Sequence, residues 1–141
     1  MNWLLDTDVI CQPAKRHGDT RVIRWMRQER DQCFTSAIVI ARLAYWVRSK
    51  EGRSRQDLQD WLRRLIDALG GRILGFNVSV AHVWADQEIL LEKEGLRMPV
   101  EDSYIAATAR RHGLMIVTGN DQDFRRPGMK VFNPFKELPQ D

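Results

Sequence analysis

Carboxylates stand at separated points of the sequence where together they could hold a divalent metal ion. Asp6 ends a short apolar run, Asp8 follows two residues later, and Asp102 lies far along the chain. Carboxylate oxygens are the hard ligands that Mg²⁺ and Mn²⁺ prefer, and such ions can bind phosphate and generate hydroxide for in-line attack. We therefore predict that Asp6 and Asp102 meet in one pocket as the core of a metal site. The alternative is that Asp6 or Asp8 only caps the next turn.

The position of Asp102 in a helical repeat supports this prediction. Asp102, Ile105, Ala106 and Ala109 are spaced as i, i+3, i+4 and i+7, which is one face of a helix. The helix dipole favours an acid in the first turn, but it does not explain an acid on the inward face, where an unpaired charge is costly. A cation facing Asp102 would explain it.

The elements that must position these residues alternate between short apolar segments and longer amphipathic ones. The predicted strands cover residues 2–5, 33–35, 72–76, 114–118 and 129–132. The predicted helices cover residues 20–30, 36–50, 54–69, 79–94 (with Ser79 as N-cap) and 100–112. This alternation is typical of an α/β fold with a parallel sheet, whose sites lie beyond the carboxyl ends of the strands. Asp6 and the acidic segment after Thr118 both fall there.

Composition indicates a globular protein of one domain spanning residues 1–141, with 43% hydrophobic and 29% charged residues. No apolar run is long enough to span a membrane, and the N-terminus lacks the features of a signal peptide, so we expect a cytoplasmic protein without membrane contact. Cys11 and Cys33 are predicted to be reduced thiols.

The net charge of +3 is concentrated in one segment. Residues 42–64 contain seven basic and three acidic residues, a local excess of +4. The segment is either a solvated helix surface or a track for a phosphate backbone or an acidic partner.

At five places, in order, the sequence resembles the PIN-domain ribonucleases of the VapC toxin family, particularly their FitB-like branch. The matching segments are residues 4–9 (LLDTDV), 35–38 (TSAI), 99–109 (PVEDSYIAATA), 118–124 (TGNDQDF) and 133–135 (NPF). The resemblance implies a PIN-like three-layer sandwich with a mainly parallel sheet of about four to five short strands flanked by helices. It also implies the toxin of a type II toxin–antitoxin pair, a homodimer that cleaves RNA with Mg²⁺ or Mn²⁺. A separate antitoxin would block the site and alone contact operator DNA.

The same resemblance implies roles for single residues. Asp6 and Asp102 would ligate the metal directly, and Thr118 would form a supporting hydrogen bond. Asp123 would act directly or through water, with Asp121 as its substitute in a shifted loop.

Two positions depart from the family pattern, which has a glutamate followed four residues later by a glycine. Here Arg42 replaces the glutamate and Trp46 the glycine. Arg42 shares a predicted inward face with Ile38, Ala41 and Tyr45, so it should point at the metal pocket. There it would pair with Asp6 or Asp102, lower their pKa values and make metal binding weak or absent. Trp46 is expected to add apolar surface for a dimer or antitoxin contact rather than to stack RNA bases.

Besides direct binding of an RNA phosphate, two outcomes follow for Arg42. If it swings out to solvent, the chain is an impaired ribonuclease; if it fills the pocket, the chain is a catalytically silent PIN domain that binds an antitoxin. A haloacid-dehalogenase-type phosphatase is a third reading, based on residues 6–9 (DTDV). It lacks the expected glycine and lysine and gives no role to the Asp102 helix.

Overall fold

The computed structural model describes residues 1–139 as a parallel sheet of five short strands flanked by helices. The strands are β1 (Trp3–Leu5), β2 (Cys33–Ser36), β3 (Ile73–Leu74), β4 (Met115–Val117) and β5 (Val131–Phe132). The helices are α1 (Thr7–Ile10), α2 (Thr20–Gln28), α3 (Ala37–Arg48), α4 (Gly52–Leu69), α5 (Val78–Lys93), α6 (Val100–His112), α7 (Asp121–Phe124) and α8 (Pro134–Glu137). The predicted α/β class, the parallel sheet and its strand number are confirmed.

The strand order is β3-β2-β1-β4-β5, which places β1 at the centre of the sheet. The chain builds outward from β1 to β2 and β3, and then crosses to the other side of β1 to form β4 and β5. The carboxyl ends of β1 and β4 therefore flank the point where the order reverses, and open α/β sheets bind their ligands at such a point. Asp6 follows β1 and Thr118 follows β4.

The core packs the strands against one face of each long helix. Leu4 and Ile116 of the central strands are fully or almost fully buried, as are Ile105 and Ala106 of α6. The predicted inward face of α6 is confirmed.

The predicted inward face of α3 is wrong. Its buried residues are Val39, Leu43 and Val47, whereas Tyr45 is 80% exposed. The i, i+4, i+8 row of branched apolar residues contacts the core more closely than the row through Ala41 and Tyr45, so the helix is rotated from its predicted orientation. Arg42 lies at the border of the two faces.

The remaining differences concern helix ends and short elements. Asn77, not Ser79, caps α5: its side chain accepts a hydrogen bond from the backbone N–H of Val80, and the Ser79 hydroxyl donates to the same oxygen. The one-turn helices α1, α7 and α8 were not predicted, because four residues carry no periodicity. Cys11 and Cys33 are free and buried, as predicted. Within residues 1–139, no helix has the length and apolarity to cross a bilayer.

Candidate active site

Asp6 and Asp102 approach each other from two elements at the carboxyl end of the sheet. Asp6 is the N-cap of α1, and its Oδ1 accepts a hydrogen bond of 2.8 Å from the backbone N–H of Thr7. Asp102 lies in the first turn of α6. Each residue is only 4% exposed. Asp6 therefore caps α1, which was the alternative prediction, and it is also part of the site.

The guanidinium of Arg42 lies between these carboxylates and contacts three acids. Its Nη2 donates to Asp102 Oδ1 at 2.8 Å, its Nη1 to Asp6 Oδ1 at 3.4 Å and its Nε to Glu101 Oε1 at 2.7 Å. Burial alone would lower the pKa of Arg42, but the hydrogen bonds to Glu101 and Asp102 and the charges of Asp102 and Asp6 raise it overall. The site therefore contains a permanent positive charge.

The pKa of Asp102 is raised overall, although the contribution of Arg42 to it has the predicted, lowering direction. Burial is the largest cause, and Asp6 and Asp123 raise the pKa further, whereas Arg42 lowers it. One guanidinium shared among three acids does not outweigh the loss of water around Asp102.

The segment after β4 closes the site on the side of Asp6. The buried hydroxyl of Thr118 donates to Asp6 Oδ2 at 2.8 Å and accepts from the backbone N–H of Asn120 at 3.0 Å. The Asn120 side chain in turn donates to Asp123 Oδ2 at 2.7 Å. Thr118 thus has the contact with Asp6 that the resemblance implied.

The structure distinguishes the two acids of α7. Asp121 pairs with Arg125 at 3.1 Å and accepts from the Asn133 side chain at 3.1 Å, and together these contacts lower its pKa. Within residues 1–139, Asp123 forms no ion pair of this kind, and its charge acts on Asp102. The geometry therefore favours Asp123 over Asp121 as the third acid, whereas its catalytic role stays a prediction.

Asp8 joins α1 to the same loop. Its Oδ2 accepts from the backbone N–H of Gly119 at 2.9 Å, and its Oδ1 is buried without a hydrogen-bond partner in the described chain. Burial and the neighbouring charge of Asp6 raise the pKa of Asp8 to about 6, although the Gly119 amide opposes the shift. Asp8 is thus a support for the loop that carries Thr118.

Glu101 is the site residue that sequence reasoning missed. It precedes Asp102 in the first turn of α6 and is not part of the predicted inward face of that helix. Its side chain is 61% exposed, yet it makes the shortest of the three contacts to Arg42. The signal available in the sequence was the adjacency of two acids opposite an unpaired arginine.

The residues in this arrangement do not fit a divalent cation. Arg42 occupies the space between Asp6 and Asp102, and within residues 1–139 no group of three or more acidic, histidine or cysteine side chains has the geometry of a metal site. Hydrogen bonds from Arg42, Thr7 and Thr118 already engage three of the four carboxylate oxygens of Asp6 and Asp102, so an ion would compete with these donors. Displacing Arg42 would be the first requirement for binding one.

A cavity of about 570 Å³ opens beside this cluster. Arg42 and Glu101 form its charged side, and Ile38, Tyr45 and Tyr104 contribute apolar surface. Tyr104 also contacts Phe76 and Trp84, with ring centroids 5.1 and 5.7 Å away.

Comparison with known proteins shows which family and fold the chain resembles. Residues 3–129 match the PIN domain family model. The chain is 32% identical over 136 residues to the VapC ribonuclease Y4jK of Sinorhizobium fredii, covering 94% of this chain and 97% of that protein. It is 31% identical to the toxin FitB of Neisseria gonorrhoeae, covering 95% of this chain and 99% of FitB. Among solved structures, FitAcB from Neisseria gonorrhoeae superposes with a TM-score of 0.88 at 32% identity, covering 94% of this chain and 98% of that one.

Proposed function

Because this chain belongs to the PIN domain family, we propose that it is the toxin of a type II toxin–antitoxin pair, an endoribonuclease whose cleavage of RNA phosphodiester bonds is impaired by its own Arg42. The relatives named VapC ribonuclease and FitB toxin support the class of activity. The contact of one guanidinium with Asp6, Asp102 and Glu101 supports the impairment, and it is the observation that carries the proposal.

The residues have separate roles in this proposal. Asp6 and Asp102 are the acids on which the chemistry depends, and Thr118 holds Asp6 in place through its hydroxyl. Asp123 supplies further negative charge at the same edge. The resemblance to this family implies Mg²⁺ or Mn²⁺ as the cofactor; we propose that such an ion binds weakly or not at all while Arg42 holds the two aspartates, since two like charges compete for one place.

Calorimetric titration with Mn²⁺ tests this part of the proposal. The unaltered chain should bind weakly or not at all, and Arg42→Glu should bind at least 30-fold more tightly, because the local charge changes by two units. Arg42→Gln is the matched control, since it removes the positive charge without adding a carboxylate, and should fall between the two. Equal, tight binding by the unaltered chain and Arg42→Glu would contradict the proposal.

Cleavage of a fluorescently labelled RNA tests the activity. We expect slow cleavage by the unaltered chain, at least tenfold faster cleavage by Arg42→Glu, and none by Asp102→Asn, because that change removes one of the two central carboxylates. If Asp102→Asn still cleaved the RNA, the activity would come from another protein in the preparation and not from this site.

The second candidate is a catalytically silent PIN domain that acts by binding an antitoxin. It is favoured by the same Arg42 contacts, which already give Asp6 and Asp102 hydrogen bonds and a counter-charge without a metal. The absence of cleavage by both the unaltered chain and Arg42→Glu, together with tight antitoxin binding, would support it. Restored cleavage in Arg42→Glu would show instead that the nuclease framework is intact.

For partners, we propose a separate antitoxin chain, operator DNA reached only through that antitoxin, and a homodimer in the cytoplasm. The similar structure described as FitAB bound to an IR36 DNA fragment supports the first two; its TM-score is 0.87 at 30% identity, covering 94% of each chain. Copurification with the neighbouring reading frame's product and light scattering of the complex would test the assembly. A stable monomer that binds no such product would contradict it.

A further inference from the structure

A second concave surface lies beside the candidate active site, and the proposed function makes no use of it. It is a cavity of about 400 Å³ between the segment after α1, the end of α3 and the first turns of α4. We call it the Trp46 pocket, after the indole that forms part of its wall; Lys15, Arg16, Lys50 and Asp57 also line it. Its volume is in the range of small-ligand sites.

The charges of the Trp46 pocket are mostly positive and unpaired. Lys15, Arg16 and Lys50 are exposed cations, and none of them forms an ion pair with another residue of the described chain. Asp57 is the single acid in the lining. Cations held together without counter-charges repel each other, and an anion that binds among them relieves that repulsion. The pocket is therefore suited to an anionic ligand.

Trp46 was expected to serve a protein contact, but it lines a cavity among cations, where it adds a feature that a simple anion would not need. One part of the indole packs edge-on against Trp61 of α4, with ring centroids 6.3 Å apart and an interplanar angle of 84°. Another part faces the cavity. A fixed aromatic surface among cations is the combination with which proteins bind single-stranded nucleic acids, because the bases stack on the ring while the cations hold the phosphates. An acidic peptide would use the cations and leave the indole without a partner.

The Trp46 pocket is close to the Arg42 cluster along the same helix. Arg42 and Trp46 are four residues apart on α3, a rise of roughly 6 Å. On the other wall, α1 connects Asp6 to the segment that carries Lys15 and Arg16. The charge of Lys15 is also among those that lower the pKa of Asp8. One extended strand can therefore reach both places.

We infer that the Trp46 pocket binds one unpaired nucleotide of the RNA substrate, next to the bond held at Asp6 and Asp102. The base stacks on Trp46, and Lys15, Arg16 and Lys50 hold the neighbouring phosphates. This inference rests on the proposed function, since it takes RNA as the substrate. It adds a place on this chain for one base and its neighbouring phosphates.

Binding of a labelled single-stranded RNA of mixed sequence, followed by fluorescence anisotropy in EDTA, tests the role of the cations without requiring cleavage. The pocket variant is Lys15→Gln/Arg16→Gln/Lys50→Gln. The matched control, Arg27→Gln/Arg64→Gln/Lys93→Gln, removes three exposed cations outside the pocket. The pocket variant should bind at least tenfold more weakly and lose roughly two units of salt-dependence slope, as expected for up to three lost phosphate contacts to a single strand. The control should change much less.

Substitution of the indole tests the stacking. Trp46→Leu should weaken single-stranded RNA binding on the order of tenfold, and Trp46→Phe should weaken it much less, because phenylalanine keeps an aromatic face. RNA should quench part of the tryptophan fluorescence of the unaltered chain, and Trp46→Phe should lose that part. Thermal unfolding of both variants shows whether they still fold after the contact between residue 46 and Trp61 is altered.

Each outcome decides one part of the inference. Equal RNA binding by the pocket and control variants would overturn it and leave the proposed function untouched, whereas failure of the unaltered chain to bind any RNA would overturn both. Equal loss of binding to a duplex of the same sequence would show a backbone track without stacking and would contradict the inference. So would a pocket variant that loses binding to polyglutamate but keeps RNA, because the pocket would then serve an acidic protein segment.

Discussion

A single residue changes what the two central aspartates can do. Without a cation, Asp6 and Asp102 would place two buried negative charges beside each other, and like charges at such distances raise the free energy of the folded state. Arg42 offsets part of this repulsion with side-chain nitrogens that the chain itself provides. Without a counter-charge the two aspartates would destabilise the fold, but their contacts with Arg42 help to stabilise it. An external metal ion must therefore compete with the Arg42 guanidinium for the same carboxylates.

Removal of the Arg42 charge should therefore destabilise the fold. In the absence of divalent cations at neutral pH, Arg42→Gln should lower the free energy of unfolding by about 3 kcal/mol, since it leaves buried carboxylates without a counter-charge. Urea denaturation measures this. Arg63→Gln is the control: its pair with Asp60 is exposed at both ends, so the change should cost less than about 1 kcal/mol. Equal effects would contradict a special role for Arg42.

The hydroxyl of Thr118 is the second residue whose loss should be measurable. Thr118→Val keeps the shape but leaves Asp6 Oδ2 and the Asn120 amide without their partner, which should cost about 1–3 kcal/mol. Thr108→Val is matched, because Thr108 is equally buried but its hydroxyl donates only to the Tyr104 carbonyl in its own helix. Urea unfolding of the two variants should separate them. A larger loss in Thr108→Val would show that Asp6 does not depend on Thr118.

At the scale of elements, the loop after β4 is positioned by a close approach to α1 and α8. A Cβ added at Gly119 would lie 2.7 Å from Asp8 Oδ2 and 2.9 Å from the ring of Phe135. Glycine is thus required here by space and not by backbone conformation. The loop can bring Thr118 to Asp6 only because its next residue has no side chain.

Gly119→Ala should accordingly push this loop away from α1. The expected loss is about 1–3 kcal/mol of unfolding free energy, together with weaker protection of the Gly119-region amides in hydrogen exchange. Gly75→Ala provides the comparison, since nothing lies within 4 Å of its added Cβ, and it should change stability by less than about 1 kcal/mol. If Gly119→Ala were as neutral as Gly75→Ala, the loop would be free to shift without cost.

Long helices and buried strands were predictable from the sequence, whereas the contacts between them were only partly so. The bounds predicted for α6 agree with those observed, because its apolar period, its first-turn acids and the glycine at 113 all indicate the same helix. The face of α3 was not predictable, since apolar residues occur on most of its surface and periodicity cannot choose among them. Glu101 and the roles of Asp121 and Asp123 depend on loop and helix-end geometry, which spacing alone does not encode.

On the scale of the whole molecule, burial of Cys33 should appear in the pH dependence of stability. Burial raises the pKa of this thiol to about 12, Glu29 adds to the shift and Arg72 opposes it. Since the folded-state pKa lies above the unfolded value near 8.5, the contribution to stability is complete below that pH and is lost as pH rises toward 12. Between pH 7.5 and 10, the unaltered chain should lose about 2 kcal/mol more than Cys33→Ala.

Urea unfolding at the two pH values measures this difference, and each protein serves as its own reference, so the packing lost with the sulfur atom in Cys33→Ala cancels. Equal losses of unfolding free energy in the two proteins would show that burial does not raise the pKa of the Cys33 thiol. Alkylation by iodoacetamide at pH 9 gives an independent check, because Cys33 should react only as fast as the chain unfolds.

The central place of β1 also has a consequence for the order in which the molecule is made. Asp6 is synthesised long before β4, yet its backbone N–H bonds to the Val117 carbonyl and its carboxylate receives the Thr118 hydroxyl. Asp102 and the whole of β4 must also be present. A nascent chain that stops before residue 118 therefore carries the acid but not the site, so interrupted translation would yield fragments without a complete site, and any toxicity would begin only after Thr118 has been made.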